Sequence, residues 1–402
     1  EVCESIVDCV NKTAPTVDEP TPYKMIRTTN VKKGWVHLWE VKYVTKETFD
    51  RWTRRQLPRK GDVILTREAP LGEVGMLRGD DQVFLGQRLV SYRANPAKLD
   101  NRFLLYAFQG RDVQAQVKGL GSGATVEHMR VPDCEKLTLS LPPLSEQRRI
   151  ASILSAYDDL IENNTRRIAI LEEMARRIYE EWFVRFRFPG HEQVKMVESE
   201  LGLIPEGWRV KGVYDIADVT YGFPFKSKLF RTDGIGRGVI RIRDIRDNSP
   251  CASTEEVTDQ KYLVVRGDIV IGMDGQFHMG KWAGPESWLN QRVLRLKPKE
   301  GVSRNFLFWA VRSPIQVLEK TIVGTTVAHL SAGDMKAMRL ITPPDRLMEK
   351  AHEVLDPLLE LELNLHYKNA NLRATRDLLL PKLISGELDV STLPEPEEAI
   401  AA

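Results

Sequence analysis

The residues of this sequence best suited to chemistry are clustered cations. Five Lys and Arg side chains and the aromatic ring of Trp52 fall within ten positions, from Arg51 to Lys60. Cations of this kind neutralise phosphates, and an arginine can also bind a guanine edge with two parallel hydrogen bonds. The cluster therefore fits a nucleic-acid contact, although a solvated helix or loop face explains it as well.

Two further segments combine cations with apolar residues. From Ile240 to Ile245 charged and apolar residues alternate, which predicts that Arg241 and Arg243 share one face of a strand. The matching earlier segment is 26–31, and a plain exposed strand edge is the alternative for both. The turn 221–227 carries aromatic residues and Lys226, and simple core packing is its alternative.

Two histidine-containing loops resemble one another. His128 follows Thr125, and His329 follows Thr326, at the same spacing. Each loop either contacts a nucleic acid or braces itself. The full set of predicted contact residues is Arg27, Thr28, Asn30, Arg51, Arg54, Arg55, Arg67, Arg88, Ser122, Thr125, His128, Lys226, Lys228, Arg241, Arg243, Arg292, Thr326 and His329.

Catalytic signatures fail on inspection. The segment 275–281 has the spacing of a phosphate-binding loop, but Trp282 stands where Ser or Thr should reach Mg²⁺. The seven histidines show no metal-ligand spacing with cysteine or acidic residues. We therefore predict no catalytic residue and no metal site in this chain.

The chain repeats itself at about half its length. Gly61-Asp62-Val63-Ile64-Leu65 returns as Gly267-Asp268-Ile269-Val270-Ile271, and 86–90 and 123–129 return as 290–294 and 324–330. The offset drifts from 206 to 201, as small loop deletions would produce. A period of half the chain excludes a solenoid and indicates a duplicated domain.

A long helix follows each copy. After Pro142 and Pro143, mostly apolar residues recur with gaps of three and four for more than four heptads, which predicts a coiled-coil helix. A second, less regular pattern follows at an offset of 201; Pro357 should kink this helix or mark a late start, and Pro381 with Gly386 suits its end. The predicted seam comprises Ile150, Leu154, Tyr157, Ile161, Asn164, Ile168, Leu171, Ala175, Ile178 and Trp182, and Leu355, Leu358, Leu365, Leu372 and Leu379.

These patterns predict an α+β protein with two tandem mixed α/β recognition domains and two long antiparallel coiled-coil helices, related by a pseudo-two-fold axis. Such symmetry suits duplex DNA with two half-sites, at a spacing of roughly one helical turn, about 34 Å. The predicted segments are a first domain (1–143), a first spacer helix (144–188), a linker (189–207), a second domain (208–343), a second spacer helix (344–385) and a tail (386–402).

Bulk properties agree with a soluble multi-domain protein. The 402 residues carry a net charge of +2, and the first domain (1–143) and the segment 189–343, which is the linker with the second domain, each carry a net +4. Four cysteines without C-x-x-C spacing, no signal peptide and no membrane-length apolar run predict a reduced cytoplasmic protein. The sequence starts without Met and lacks a first counterpart of 204–208, so we expect a truncation of about one strand.

PLSEQRRIASIL from Pro143, EEWF from Glu180, LGLIPEGW from Leu201 and LLLPKLISGEL from Leu378 resemble the specificity subunit of type I restriction-modification systems. The resemblance covers nearly the whole chain. It implies that each domain reads one part of a split, asymmetric site in double-stranded DNA, and that the two helices pair.

The same resemblance implies several partners. Two methyltransferase subunits and the motor-nuclease (restriction) subunits would bind S-adenosylmethionine, ATP and Mg²⁺, while this chain would bind no cofactor. The alternatives are a non-catalytic DNA-binding scaffold outside restriction, a scaffold without DNA affinity, and a stand-alone DNA-modifying enzyme, the least favoured because no active-site constellation is found.

Overall fold

A computed structural model describes residues 1–122, 127–321 and 328–394. The chain forms two compact units. Unit 1 comprises Glu1–Leu160 with Leu372–Ala402, and unit 2 comprises Ile161–Asn371. Each long helix contributes to both units, because the boundaries fall inside the helices. Strands and helices are numbered in chain order.

The described part of unit 1 contains nine strands in two sheets. The six-stranded sheet has the order β1-β9-β6-β7-β4-β3, and the three-stranded sheet has the order β5-β2-β8. These strands are β1 (Cys3–Asp8), β2 (Lys24–Ile26), β3 (Val31–Lys32), β4 (Gly34–Val36), β5 (Lys42–Tyr43), β6 (Val63–Arg67), β7 (Leu71–Met76), β8 (Val83–Leu85) and β9 (Leu89–Ala94).

Four short helices accompany these sheets: α1 (Lys46–Trp52), α2 (Asn101–Gln109), α3 (Arg111–Leu120) and α4 (Val131–Cys134). The α2 helix begins where Asp100 accepts hydrogen bonds from the amides of Arg102 and Phe103, which caps the first turn. Its residues 103–108 are all buried and pack against the sheet in the core of unit 1.

Unit 2 contains the other twelve described strands. Two four-stranded sheets have the orders β13-β20-β17-β18 and β15-β14-β19-β16, and β10-β11 and β12-β21 form two-stranded pairs. The strands are β10 (Met196–Ser199), β11 (Gly202–Pro205), β12 (Arg209–Gly212), β13 (Ala217–Tyr221), β14 (Arg237–Ile240), β15 (Ser253–Thr254), β16 (Leu263–Val264), β17 (Ile269–Gly272), β18 (Met279–Lys281), β19 (Ser287–Leu289), β20 (Val293–Pro298) and β21 (Arg339–Thr342).

The helices of unit 2 that lie wholly within it are α6 (Val213–Ile216), α7 (Arg304–Thr321) and α8 (Ala332–Ala337). The predicted duplication is visible in strand pairing. The pair β6·β9 corresponds to β17·β20, and both are antiparallel. The pair β2·β8 corresponds to β14·β19, and both are parallel.

The two long helices are α5 (Leu144–Tyr179), which continues as a π-helical turn through Glu180–Val184, and α9 (Asp345–Ile384). Although a serine suits the N-cap position, Ser145 lies inside the first turn of α5, because the amides of Glu146 and Gln147 bond to the carbonyl of Pro143. Of the two alternatives predicted for Pro357, the late start is wrong, and the kink stays a prediction. The helix begins at Asp345 and continues past Pro357, and it ends two residues before Gly386, whose φ of +76° only glycine adopts without strain.

Candidate nucleic-acid interface

In unit 1 four chain segments meet at one edge, beyond the ends of the central strands. Ile26 of β2 lies beside Leu85 of β8, and the amide of Gly86 donates to the carbonyl of Ile26 at 2.8 Å. The amide of Arg67 donates to the carbonyl of Arg88 at 2.8 Å.

The histidine loop joins the same edge, because the amide of Met129 donates to the carbonyl of Arg67 at 2.9 Å. We call this group of segments the first edge. It brings together the predicted residues Arg27, Thr28, Arg67, Arg88, Ser122 and His128.

Unit 2 repeats this arrangement bond for bond. Ile240 of β14 lies beside Leu289 of β19, and the amide of Asn290 donates to the carbonyl of Ile240 at 3.3 Å. The amide of Met273 donates to the carbonyl of Arg292 at 2.9 Å.

The amide of Leu330 then donates to the carbonyl of Met273 at 2.8 Å, which brings the second histidine loop to this place. This group of segments is the second edge. It brings together the predicted residues Arg241, Arg243, Arg292 and His329.

An acidic residue stands at each edge beside the arginine. Glu68 pairs with Arg88 at 3.3 Å, and Asp274 pairs with Arg292 at 3.3 Å. Asp274 also lies 2.6 Å from Nδ1 of His329. Sequence reasoning missed both acids. They were within reach, since they are 206 positions apart and follow the strands whose repetition was recognised.

The predicted strand face of Arg241 and Arg243 is wrong. The strand ends at Ile240, and residues 242–244 form a 3₁₀ turn, so the two side chains do not alternate as in a strand. The reason is Asp244, whose side chain accepts the amide of Arg241 at 3.0 Å and so closes the turn.

The first edge contains the same turn over 28–30, closed by Asn30, which accepts the amide of Arg27 at 2.9 Å. Asn30 is buried and also donates to the carbonyl of Trp39 at 3.1 Å. Its side chain is thus used to brace the turn. Thr28 is half-buried within the same turn.

An exposed aromatic pair adjoins the first edge. Trp39 is 64% exposed, and the ring of His37 stacks on it with a centroid distance of 3.9 Å. Arg27 Nη2 donates to the carbonyl of Glu40 at 3.0 Å and so ties this loop to the edge. Burial, helped by nearby Lys32, lowers the pKa of His37, so this ring is neutral near pH 7.

The remaining predicted residues lie apart from these bonds. Arg51 lies in the last turn of α1, Arg54 follows the helix, and Arg55 pairs with Asp8 at 2.6 Å. Lys226 and Lys228 are exposed around a short 3₁₀ turn at 227–229. Thr125 and Thr326 lie outside the described residues.

Part of the predicted seam packs into the cores of the two units. Every one of them is buried or half-buried in its unit. In unit 1, Ile150 and Leu154 of α5 share a core cluster with Leu380 and Leu383 of α9. In unit 2, Ala175 shares a cluster with residues 347–355. On α5, Asn164 lies before Ala175, but its partner Asn369 lies after residues 347–355 of α9, so the two helices run in opposite directions in unit 2.

Each unit anchors its sheets to a long helix through a buried charge. In unit 1, Asp158 accepts a hydrogen bond from Tyr106 at 2.7 Å and lies 3.7 Å from Arg78. In unit 2, Lys281 of β18 pairs with Glu362 of α9 at 2.5 Å, and both are buried. Burial raises the pKa of Glu362 to about 7, although Lys281 opposes the shift.

Within residues 1–122, 127–321 and 328–394, the His, Cys, Asp and Glu side chains form no group of three or more suited to a metal ion. Among the helices of these same residues, none has the length and apolarity needed to cross a bilayer.

The family model described as the type I restriction modification DNA specificity domain matches this chain twice, at residues 1–173 and 205–371. The chain belongs to this family. The two matches coincide with the internal repeat, and each takes in one edge and most of one long helix.

Relatives of the specificity family align along most of the chain. The type I restriction enzyme MjaIX specificity subunit of Methanocaldococcus jannaschii is 25% identical over 361 residues, which is 87% of this chain and 82% of that protein. The MjaVIII specificity subunit of the same organism is 24% identical and covers 78% of this chain and 77% of that protein.

A solved structure shares the fold. The type I restriction-modification S subunit from M. genitalium superposes with a TM-score of 0.56 at 17% identity and covers 94% of this chain and 93% of that one. The predicted α+β duplication with two long helices is confirmed. Specificity subunits of this family are generally non-catalytic, in agreement with the sequence prediction.

Proposed function

We propose that this chain is the DNA-reading subunit of a type I restriction-modification complex, in which each edge reads one half of a bipartite, asymmetric site. The supporting observation is that the same four segments and the same hydrogen bonds recur at both edges while their side chains differ. A shared backbone frame supports one docking mode, and different side chains select different bases.

Arginine chemistry fits this role at both edges. Arg88 and Arg292 are each about half exposed and are each held by one acidic partner. An exchangeable carboxylate orients the guanidinium in free protein and yields to a guanine or a phosphate in the complex. Base-edge contacts of this type are worth about 1–3 kcal/mol of discrimination, whereas phosphate contacts act on all sequences alike.

Trp39 adds an aromatic contact to the first half-site. Its ring is exposed, supported on one side by neutral His37, and tied to Arg27 through Glu40. Rings presented in this way stack on bases or contact thymine methyl groups. The second edge has Asp247-Asn248-Ser249 after its 3₁₀ turn instead of an aromatic pair.

The two long helices would set the number of base pairs between the half-sites and dock two methyltransferase subunits. Motor-nuclease subunits would join for cleavage. S-adenosylmethionine, ATP and Mg²⁺ would be bound by those partners, and the complex would act in the cytoplasm. The four free cysteines agree with a reducing compartment.

The test uses the chain assembled with its methyltransferase subunits and a duplex selected from a randomised library. Arg27→Ala and Arg241→Ala should each weaken specific binding by about 1–3 kcal/mol, measured by fluorescence anisotropy. Each loss should disappear on a duplex whose corresponding half-site is already mutated.

Matched controls remove a cation from the opposite end of the same sheets. Lys98 follows β9, and Lys297 lies near the far end of β20. Lys98→Ala and Lys297→Ala should bind as the parent does. Parent-like binding by both arginine variants would contradict the assignment of the edges, and methyl transfer by the isolated chain would contradict a non-catalytic role.

A further inference from the structure

Two polar layers are buried where α5 faces α9. In unit 2, Nδ2 of Asn164 donates to Oδ1 of Asn369 at 2.9 Å, and both side chains are buried. Nδ2 of Asn369 donates in turn to the carbonyl of Ile161 and to Oγ1 of Thr165, each at 3.3 Å. This layer thus satisfies its amides by pairing one helix with the other.

The second polar layer lies in unit 1. Nη1 of Arg376 donates to Oδ1 of Asp158 at 2.5 Å, and the side chains are 13% and 3% exposed. In an antiparallel pair of helices, the residue numbers of facing positions have a nearly constant sum. This sum is 534 for Asp158 and Arg376 and 533 for Asn164 and Asn369. The same antiparallel register therefore describes both layers.

The helices are copies offset by 201 positions, but the polar residues are not copied. The counterpart of Asn164 on α9 is Leu365, and the counterpart of Asn369 on α5 is Ile168. Both counterparts are buried apolar residues.

The charged residues of the second layer also correspond to apolar residues on the other helix. Asp158 corresponds to Leu359, and Arg376 corresponds to Ala175. Each of these is also buried. Each layer thus contains a polar bond from one helix to the other, whereas the positions that would replace these partners in a second copy of the same helix are apolar.

Pairing between two copies of the chain would break these layers. If α5 paired with α5 in this register, Asn164 would face Ile168 twice and Asp158 would face Ala175 twice. If α9 paired with α9, Asn369 would face Leu365 twice. Unpaired buried amides are costly, and Asp158 would lose Arg376 while keeping Tyr106 and Arg78. The apolar contacts would survive either exchange.

We propose that these two layers form a pairing code that directs α5 to α9 and rejects a second copy of the chain. A duplicated protein needs such a code, because its two helices descend from one sequence and share an apolar seam. A single buried polar position fixes register and partner choice in other coiled coils.

The test makes the asparagine layer symmetric in the full chain and leaves the layer of Asp158 and Arg376 unchanged. Asn164→Leu and Asn369→Ile together give the residues that their counterparts already have. Samples of the chain with ¹⁴N and ¹⁵N are unfolded together, refolded together and treated with a short carboxyl-reactive crosslinker.

The diagnostic product joins Asp159 of one chain to Glu173 of another. Because α5 precedes α9 by 201 positions, facing residues of an α5–α5 pair have numbers that sum to about 332, as these two do. Within one helix the two residues are 14 positions apart, about 21 Å, which is too far for a short linker. The double variant should give at least about tenfold more mixed-isotope product than the parent.

The matched control is Asn163→Leu with Asn371→Ile, which makes the same changes at exposed positions close to the buried pair. This control should remain at the parent level. Equal yields from the double variant and the parent would overturn the proposal, and so would an equal rise in the control.

Single variants keep the test decisive if the double variant fails to refold. Asn164→Leu should raise α5–α5 links only, and Asn369→Ile should raise α9–α9 links only, detected by carbodiimide coupling of Glu353 to Lys382. A rise in both kinds of link from either single variant would contradict a layer-specific code.

Discussion

The two edges share a frame and differ in what they present. At the first edge the turn is closed by the neutral amide of Asn30, and an exposed tryptophan stands beside it. At the second edge the turn is closed by the carboxylate of Asp244, and a histidine contacts Asp274.

This difference separates the residues that fold a recognition domain from those that give it specificity. The backbone bonds joining the four segments survive in both copies, because breaking them would leave buried polar groups unpaired. The side chains that project from these bonded segments can vary, because they do not take part in the shared backbone bonds. One chain can thus have two edges with the same backbone structure and different side chains.

The largest effect is expected from breaking the frame itself. Asp244→Ala removes the acceptor for Arg241 and leaves a buried turn unsatisfied, so β14 should lose about 3 kcal/mol of protection in hydrogen exchange. Asn30→Ala should cost β2 less, about 1–2 kcal/mol, because no ion pair is lost.

Asp244→Asn is the matched control, since an amide already does this work in the first copy. It should retain most of the protection of β14. If the carboxylate of Asp244 does not stabilise the turn, the hydrogen-exchange protection of β14 in Asp244→Ala will equal that of the parent.

The second prediction concerns the pH dependence of stability that arises from Glu362, the buried acid of α9 in unit 2. Glu362 has a raised pKa of about 7 in the folded chain, compared with 4.5 when unfolded. The folded state then holds an extra proton between these values, so this group's contribution to the unfolding free energy falls as pH rises from about 4.5 to about 7.

Glu362→Gln removes that dependence. The advantage of the parent over the variant should shrink by up to about 3 kcal/mol across this range, measured by denaturant unfolding at several pH values. Glu360→Gln, at an exposed position on the same helix, should keep the parental slope. Parallel pH profiles for the parent and Glu362→Gln would refute the raised pKa.

A smaller effect sharpens the contrast between the edges. Trp39→Ala should weaken binding to the selected duplex by about 1–2 kcal/mol, because a base contact or stacking surface is lost. Trp39→Phe should restore much of it. The loss should vanish when the first half-site is mutated and persist when the second is mutated. The reverse pattern would show that Trp39 contacts the second half-site.

The sequence was sufficient for the architecture because its signals were repeated. Each pattern appears in both halves of the chain and predicts the same element in each half. Examples are the strands Val63–Arg67 and Ile269–Gly272, the apolar seam of the long helices, and the proline pair before each helix. The helix α5 begins at Leu144, directly after the first of these proline pairs.

The sequence was insufficient where tertiary contacts decide the local structure. The alternation around Arg241 is typical of a strand, yet a side-chain bond from Asp244 turns the chain after Ile240. The helix α9 continues past Pro357 because packing along its length outweighs local preference.

The candidate edges were predictable in part. Arg88, Arg292 and the histidines were found from residue type and repetition. Their convergence was not predictable, since it depends on bonds between segments up to 62 positions apart, such as those between Arg67 and Met129 in unit 1. Trp39 was overlooked because a single aromatic residue in a loop carries no periodic signal.

If the two edges read different half-sites, one selection experiment will separate their contributions. The complex containing the parent, Arg88→Ala or Arg292→Ala selects duplexes from a library randomised across both half-sites, and the bound sequences are read. We predict that Arg88→Ala relaxes base preference in one half-site only and that Arg292→Ala relaxes it in the other only. Relaxation of the same half-site by both variants, or of neither, would contradict the account.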